Sequence, residues 1–262
     1  AAIDILVRKG NESLFNEHPF LHKVIVWDKQ KNKYKNWFKI LIQIRNSKYD
    51  AIVNVQRYAA TGIWTAFSNA TKKIGFDKNP FSFLFTHSIK HVEMGKGLHE
   101  IHKNHTLLSA LNVAELSKPK LYPSKLDYEK VLPLQSVPYI CIAPASVWFT
   151  KQFPVQKWIQ FINEIPFEGV IYLIGGPGDK ALGEEILKGI QVSNQPKKQI
   201  VNVIGQLPFL ASAALQQKAV LNYVNDSAPM HFASAMNAAV VAIYCSTIPD
   251  FGYRSEEHTS EL

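Results

Sequence analysis

The chain has 262 residues, of which 47% are hydrophobic and 19% charged, and its formal net charge is +8. This composition is typical of globular proteins and excludes disordered, collagen-like and small disulfide-scaffold classes. No apolar run approaches the ~20 residues of a membrane-spanning helix, and the length is sufficient for two moderate domains.

The first half of the chain predicts alternating strands and helices. Its first residues enter a strand pattern without a preceding cap or turn, so we expect the chain to begin inside a domain. Trp37, Ile40, Leu41 and Ile44 recur at helical spacing between two β-branched runs. The expected elements are strands at 3–7, 24–27, 51–55 and 73–76 and helices around 37–44, 60–69 and 99–111, the last with histidines on a polar face.

Residues 117–135 contain three prolines and several charges without a sustained period, so we expect a linker there, between a first domain, 1–116, and a second, 136–253. The second domain predicts strands at 138–144, 170–175, 199–204, 219–224 and 239–245 and helices at 154–165, 179–189, 208–217 and 228–237. These nearly continuous apolar strands favour a parallel sheet covered by helices on both faces. Cys141 and Cys245 stand in two of them, and we expect both to be buried thiols in a reducing cytoplasm.

The final segment, residues 254–262, matches the in-frame translation of a common sequencing adapter. We expect it to be an artefact and exclude it from inferences about fold and function.

Positive charge is concentrated in the first half. Residues 1–130 carry 21 Lys and Arg against 11 Asp and Glu, whereas residues 131–253 carry seven of each. A concentrated positive field favours an anionic partner such as phosphate-bearing lipid, nucleic acid or another polyanion. A solvated lysine-rich face is the alternative, and both interpretations stay open.

The polar clusters of the second half follow the carboxyl ends of predicted strands, where open parallel sheets bind ligands. In the first cluster, a loop before Pro154 presents Ser146, Thr150 and Lys151, which are suited to phosphate oxygens. A surface loop with an incidental lysine is the alternative. In the second cluster, glycines at 175, 176 and 178 precede Asp179, which favours a tight turn with a helix N-cap.

The third cluster, residues 224–231, is the strongest candidate. Asp226 or Ser227 is expected to cap a helix with Pro229 in its first turn. The N–H groups of Ser227, Ala228 and Met230 would then form an anion site suited to a diphosphate. His231, one turn into the helix, either packs as a core histidine or reaches the ligand.

The sequence contains no motif for a metal site, a serine nucleophile, a P-loop or RNA binding. His99, His102 and His105 have no acidic partner in the zinc-protease pattern, so we predict no metal site. Neither a Gly-x-Ser-x-Gly elbow, a P-loop nor an RNA-binding motif is present.

The three loops, in this order, resemble the C-terminal half of the bacterial ADP-heptose:lipopolysaccharide heptosyltransferases, glycosyltransferase family 9. The likeness extends to residues 49–56 and 73–76 and covers nearly all of residues 1–253. It implies an α/β fold of the GT-B class, with two Rossmann-like domains whose parallel sheets face a cleft that holds the active site. The first, acceptor-side domain would lack its first strand and helix. The resemblance also implies a metal-independent, inverting glycosyltransferase without a cofactor.

The resemblance assigns roles to residues of the first two loops. Ser146 matches a hydroxyl that contacts the phosphate of the nucleotide sugar, and Lys151 matches the lysine that neutralises the leaving diphosphate. Asp179 stands where the family commonly has an acidic residue near the nucleoside. Leu210 matches an apolar contact to the base.

The third loop matches a stretch usually read Asp-Thr-Gly-Leu-x-His, whose aspartate holds the donor sugar and whose backbone binds the phosphates. The matching residues are Asp226, Ser227, Ala228, Pro229 and His231. Pro229 departs from the family pattern and lacks an N–H, which removes one donor from the anion site.

The family's general base is an aspartate in a Gly-Asp turn after the first strand, and this sequence begins beyond that point. We therefore expect a donor-binding fragment without transferase activity. If a carboxylate of the chain replaces that base, Asp28 and Asp50 are the first candidates.

The leading interpretation is transfer of heptose from ADP-heptose to the lipopolysaccharide inner core. The enzyme would be cytoplasmic and peripheral at the inner membrane, where its basic half meets an anionic glycolipid acceptor. The alternatives are a related transferase with another nucleotide sugar and a non-catalytic, polyanion-binding Rossmann protein. Because the phosphate-binding loops lie in the neutral half, we expect no nucleic-acid partner.

Overall fold

The computed structural model describes residues 2–92, 99–190 and 198–246, which form two α/β units. The first unit contains residues 2–12, 20–92 and 99–117, and the second contains residues 13–19, 118–190 and 198–246. The strand pairs in both units are parallel, which confirms the predicted sheet type. None of the helices in these ranges is long and apolar enough to cross a bilayer.

The strands of the first unit form two groups. Strands β1 (Ile3–Arg8) and β2 (Leu21–Trp27) pair with each other, and β3 (Ala51–Asn54), β4 (Lys72–Phe76) and β5 (His87–Ile89) pair in that order. The helices are α1 (Lys33–Ser47), α2 (Ala59–Ala66) and α3 (Glu100–His105), with a 3₁₀ turn (Thr106–Leu111) after α3.

The core of the first unit fixes how α1 is oriented. Ile40 and Ile44, one helical turn apart, are buried with Ile25 and Trp27 of β2 and Trp64 of α2. Since residues four apart lie on one side of a helix, this confirms the predicted amphipathic helix and leaves its opposite face outward.

The second unit is a five-stranded parallel sheet in the part of the chain described. Its strands are β6 (Tyr139–Ala143), β7 (Gly169–Leu173), β8 (Lys198–Asn202), β9 (Asn222–Asn225) and β10 (Val240–Ile243), in the order β10-β9-β6-β7-β8. Its helices are α4 (Lys125–Val131), α5 (Val155–Glu164), α6 (Lys180–Gly189), α7 (Phe209–Lys218) and α8 (Ala228–Ala235).

Helices cover both faces of this sheet, as predicted. All five residues of β6 are buried and alternate between two clusters. Tyr139 and Cys141 pack with residues of α4, α7 and α8, whereas Ile140 and Ile142 pack with residues of α5 and α6. This strict alternation is the pattern of a central strand with two apolar faces.

The strand order places a switch point between β6 and β9. From β6 the chain continues to β7 on one side, and β9 lies on the other side of β6. The loops after β6 and β9 therefore leave adjacent carboxyl ends, which is where open α/β sheets bind ligands.

The structure has a helix within the predicted linker. Ser124 and Asp127 form a capping box at the start of α4, and Val131 at its end is fully buried in the second unit. The three prolines lie outside α4, so they do not interrupt it. The low-periodicity interpretation was therefore wrong for residues 125–135, which are α4 and a 3₁₀ turn (Leu132–Gln135).

Three smaller expectations also need correction. The helix predicted over 99–111 is α-helical only in α3, because the hydroxyls of Thr106 and Ser109 donate to carbonyls three residues earlier and favour a 3₁₀ turn. His99 is buried and caps α3 by accepting the N–H of Ile101, so it is not on a polar face. Cys141 is buried as expected, but Cys245 is exposed, because β10 ends before it. Residues 254–262 lie outside the described residues.

Candidate functional site

The loop after β6 carries three of the predicted site residues. It runs from Pro144 to Pro154, contains a 3₁₀ turn (Phe149–Lys151) and leads into α5. Ser146 and Lys151 are partly buried and Thr150 is exposed. The Nε2 of Gln152 donates to the carbonyl of Ser146 at 2.6 Å, which draws the two ends of the loop together.

An ion pair joins this loop to the loop after β9. Lys151 Nζ lies 2.6 Å from Asp226 Oδ2, and the two residues are 75 positions apart in the chain. The side chain of Asp226 is 6% exposed and that of Lys151 is 25% exposed. A carboxylate so buried is costly without a partner, so the lysine is held at the switch point. The structure thus brings together Lys151 and Asp226, which the resemblance placed on the same ligand.

Asn225, which local sequence patterns did not single out, holds the loop after β6. It is fully buried; its Nδ2 donates to the carbonyl of Pro144 at 2.7 Å, and its Oδ1 accepts the N–H of Phe153 at 3.1 Å. These two bonds bracket the loop that carries Ser146 and Lys151. The available signal was an asparagine at the end of an apolar strand, directly before the aspartate. An amide at such a position is buried only where its hydrogen bonds are satisfied.

The start of α8 differs from the predicted cap. Ser227 occupies the N-cap position with extended backbone, but its hydroxyl donates to the carbonyl of Asn225 at 3.2 Å and makes no cap bond. The N–H of Met230 donates to the carbonyl of Ser227 at 3.1 Å. The anion site predicted from three N–H groups is therefore reduced to those of Ser227 and Ala228, because the N–H of Met230 already donates to Ser227 and Pro229 offers none in its place. These two groups have no acceptor within the helix and lie at the positive end of its dipole.

The glycine-rich turn after β7 closes on itself. Asp179 Oδ2 accepts the N–H of Gly176 at 2.8 Å within a 3₁₀ turn (Pro177–Asp179). The side chain does not cap α6, contrary to expectation. A Cβ at Gly175 would stand 3.1 Å from Asp179 Oδ2, so glycine permits this close approach. The predicted contact of Asp179 with a nucleoside stays a prediction.

Two further predicted residues have contrasting exposure. His231 is exposed, which rules out the core alternative and leaves contact with a ligand as a prediction. Leu210 is buried in α7, and little of its side chain is accessible to a base. Its neighbour Phe209 is accessible, and its ring packs against that of Phe232 with centroids 5.7 Å apart.

Asp28, a candidate base in the first unit, is unsuited to proton transfer. Lys9 Nζ lies 2.8 Å from its carboxylate, which also accepts the N–H groups of Gln30 and Lys31. The bond to Lys9, reinforced by those to the two backbone groups, lowers the pKa of Asp28 to about 2. A carboxylate that weakly basic is a poor proton acceptor near neutral pH.

Comparisons with known proteins give one family. A sequence model of glycosyltransferase family 9, described as heptosyltransferase, matches residues 37–254. Lipopolysaccharide heptosyltransferase 3 of Escherichia coli is 26% identical over 265 residues, which cover 94% of this chain and 75% of that protein.

Two solved structures are similar in fold. The glycosyl transferase family 9 protein of Veillonella parvula gives a TM-score of 0.82 at 18% identity, over 100% of this chain and 77% of that one. The E. coli ADP-heptose lipopolysaccharide heptosyltransferase II gives 0.79 at 18% identity, over 100% of this chain and 82% of that one. These similarities confirm the predicted GT-B class.

Proposed function

The chain belongs to glycosyltransferase family 9, the heptosyltransferase family, and from this premise we propose that its second unit binds ADP-heptose for transfer of the heptose to the lipopolysaccharide inner core. The Lys151–Asp226 pair at the switch point is the observation that carries the proposal. It sets a cation and a carboxylate side by side, next to the start of α8, at the edge of the sheet where ligands bind.

The diphosphate would lie against Lys151 and the first N–H groups of α8. A lysine contact to a phosphate oxygen is a charge-assisted hydrogen bond, and the helix N-terminus adds two backbone donors and a favourable dipole. The hydroxyl of Ser146, on the loop held by Asn225, would supply a further donor. In this proposal Thr150 and His231 would flank the same edge. The second half is neutral overall, so this local arrangement rather than net charge would account for the proposed anion binding.

The carboxylate of Asp226 would accept hydrogen bonds from hydroxyls of the donor sugar. As the acceptor hydroxyl attacks the anomeric carbon with inversion, its proton would pass to a general base, the bond from that carbon to the diphosphate oxygen would break, and negative charge would grow on the departing ADP. Lys151 and the start of α8 would stabilise that charge most when the bond is breaking, which lowers the barrier without a metal ion. The accessible ring of Phe209, beside Leu210, offers an apolar face to the adenine.

The acceptor would be an anionic glycolipid, because the excess of positive charge lies in the first half of the chain. That charge favours phosphate-bearing lipid at the cytoplasmic face of the inner membrane, where the protein would be peripheral.

Titration calorimetry of the chain against ADP-heptose, ADP-glucose and UDP-glucose tests the proposal. We expect ADP-heptose to bind more tightly than the other two donors. Lys157→Ala, which removes an exposed lysine of α5, is the matched control for Lys151→Ala and should bind like the wild type. Tightest binding of ADP-glucose would assign another donor sugar, and no binding of any donor would overturn the proposal.

A further inference from the structure

The outward face of α1 carries an apolar stripe. Tyr34, Phe38 and Ile42 recur every four residues and are 75%, 58% and 58% exposed. The opposite side of the same helix, with Ile40 and Ile44, is already buried in the core of the first unit. The core of the first unit therefore does not use the stripe. A row of large apolar side chains at helical spacing on a surface marks an interaction site.

The stretch of chain that contains this stripe is strongly basic. Residues 29–49 contain seven Lys and Arg and no Asp or Glu. Lys35 and Lys39 are exposed on the same face, one turn apart, and follow Tyr34 and Phe38 directly in the chain. Arg45 lies in the last turn, where its guanidinium donates to the carbonyl of Phe67 at 2.9 Å. We call this surface, made of Tyr34, Lys35, Phe38, Lys39 and Ile42, the α1 outer face.

We propose that the α1 outer face docks the protein on an anionic lipid bilayer, an inference that rests on the proposed function for its lipid-linked acceptor. A helix with aromatic and aliphatic residues beside lysines lies in the plane of the membrane interface and buries its apolar residues below the headgroups. The lysines match the negative surface of the cytoplasmic leaflet. A soluble polyanion would use the lysines but would leave Phe38 and Ile42 in water, so the stripe favours lipid.

This docking has a structural consequence for the first unit. Because Ile40 and Ile44 tie α1 to β2 and α2, the helix cannot turn its stripe inward. Membrane contact would therefore hold the whole first unit at the surface with α1 parallel to it. Contact would require no change in fold, since the stripe is exposed already.

Vesicle co-sedimentation tests the inference with the full chain. Phosphatidylcholine vesicles containing phosphatidylglycerol should bind the protein at low salt, whereas pure phosphatidylcholine vesicles should bind it weakly. The double variant Phe38→Ser with Ile42→Ser should lower the partition coefficient by about tenfold or more. Lys35→Gln with Lys39→Gln should lower it by roughly thirtyfold at low salt, an effect that added salt removes.

Matched controls separate the α1 outer face from exposure and charge in general. Phe83→Ser removes a 77% exposed aromatic residue of the same unit, and Lys157→Gln with Lys188→Gln removes two exposed lysines of the second unit. Both controls should partition like the wild type. An equal loss of vesicle partitioning in the controls would overturn the inference. Unchanged vesicle binding of the Phe38→Ser, Ile42→Ser variant would also overturn it and would indicate a purely electrostatic surface for polyanions.

Calorimetry with ADP on the same variants keeps the two proposals apart. The α1 variants should retain the wild-type affinity for ADP, because the proposed donor site lies in the second unit. Donor binding without vesicle binding refutes only the docking surface. Vesicle binding without donor binding refutes the proposed function and leaves the lipid surface standing on its own.

Discussion

Substitution of Asn225 by Ala removes a buried amide that holds both ends of the loop after β6. The variant leaves the buried carbonyl of Pro144 and the N–H of Phe153 without their partner. Each unpaired buried group costs about 1–3 kcal/mol. Because Phe153 is only partly buried and water can reach its N–H, we expect a total loss of about 2–4 kcal/mol in the free energy of unfolding, out of the ~5–15 kcal/mol typical of a domain.

Urea unfolding followed by circular dichroism measures this loss, and calorimetry with ADP measures its effect on the site. Since Ser146 and Lys151 lie between the two bonded positions, binding must order them again, at about 0.5–1.5 kcal/mol per side chain, and we expect the affinity to fall about tenfold. Gln160→Ala, which removes an exposed amide of α5, is the matched control and should change stability by less than ~0.5 kcal/mol. Coincident urea midpoints for Asn225→Ala and the wild type would refute the role given to this amide.

The native chain should react with one equivalent of a thiol reagent, at the exposed Cys245, because burial shields Cys141 and raises the pKa of its thiol; reaction of two equivalents before unfolding would contradict this. The stabilising effect of Asp28 should be complete above its ordinary pKa of 3.8 and lost as the pH falls through about 2, since Lys9 lowers the pKa to that value. If the difference in urea midpoint between Asp28→Asn and the wild type stays constant between pH 3.8 and about 2, the lowered pKa of Asp28 is contradicted. The affinity for ADP should be equal in excess Mg²⁺ and in EDTA, because Lys151 supplies the positive charge; binding abolished by EDTA would show that a metal ion is required.

Most strands and helices were predictable from local periodicity. The second unit follows this rule closely, since Tyr139–Ala143 is a continuous apolar run and helix α5 has its apolar residues on one face. Elements that depend on other signals were missed. Helix α4 is specified by the Ser124–Asp127 capping box, and strand β5, His87–Ile89, has only three residues and depends on its pairing with β4.

The candidate site shows where local patterns cease to be informative. Lys151 and Asp226 were each singled out by their own loops, but their pairing depends on β6 and β9 being neighbours, which local sequence does not specify. The cap of α8 was predicted wrongly for a related reason. The hydroxyl of Ser227 donates to the carbonyl of Asn225 instead of capping the helix. The spacing of residues does not show which of these two local hydrogen bonds forms.

Titration of ADP into the wild-type chain and into Lys151→Ala is the most direct test of the site at the switch point. We expect ADP to bind the wild type and to bind Lys151→Ala about 10- to 100-fold more weakly, because a charge-assisted contact worth about 1.5–3 kcal/mol is lost. Asp226→Asn, combined with Lys151→Ala, should recover part of the loss by removing the negative charge beside the phosphates that Lys151 no longer offsets. Equal ADP affinity of Lys151→Ala and the wild type, with both proteins folded, would contradict the account.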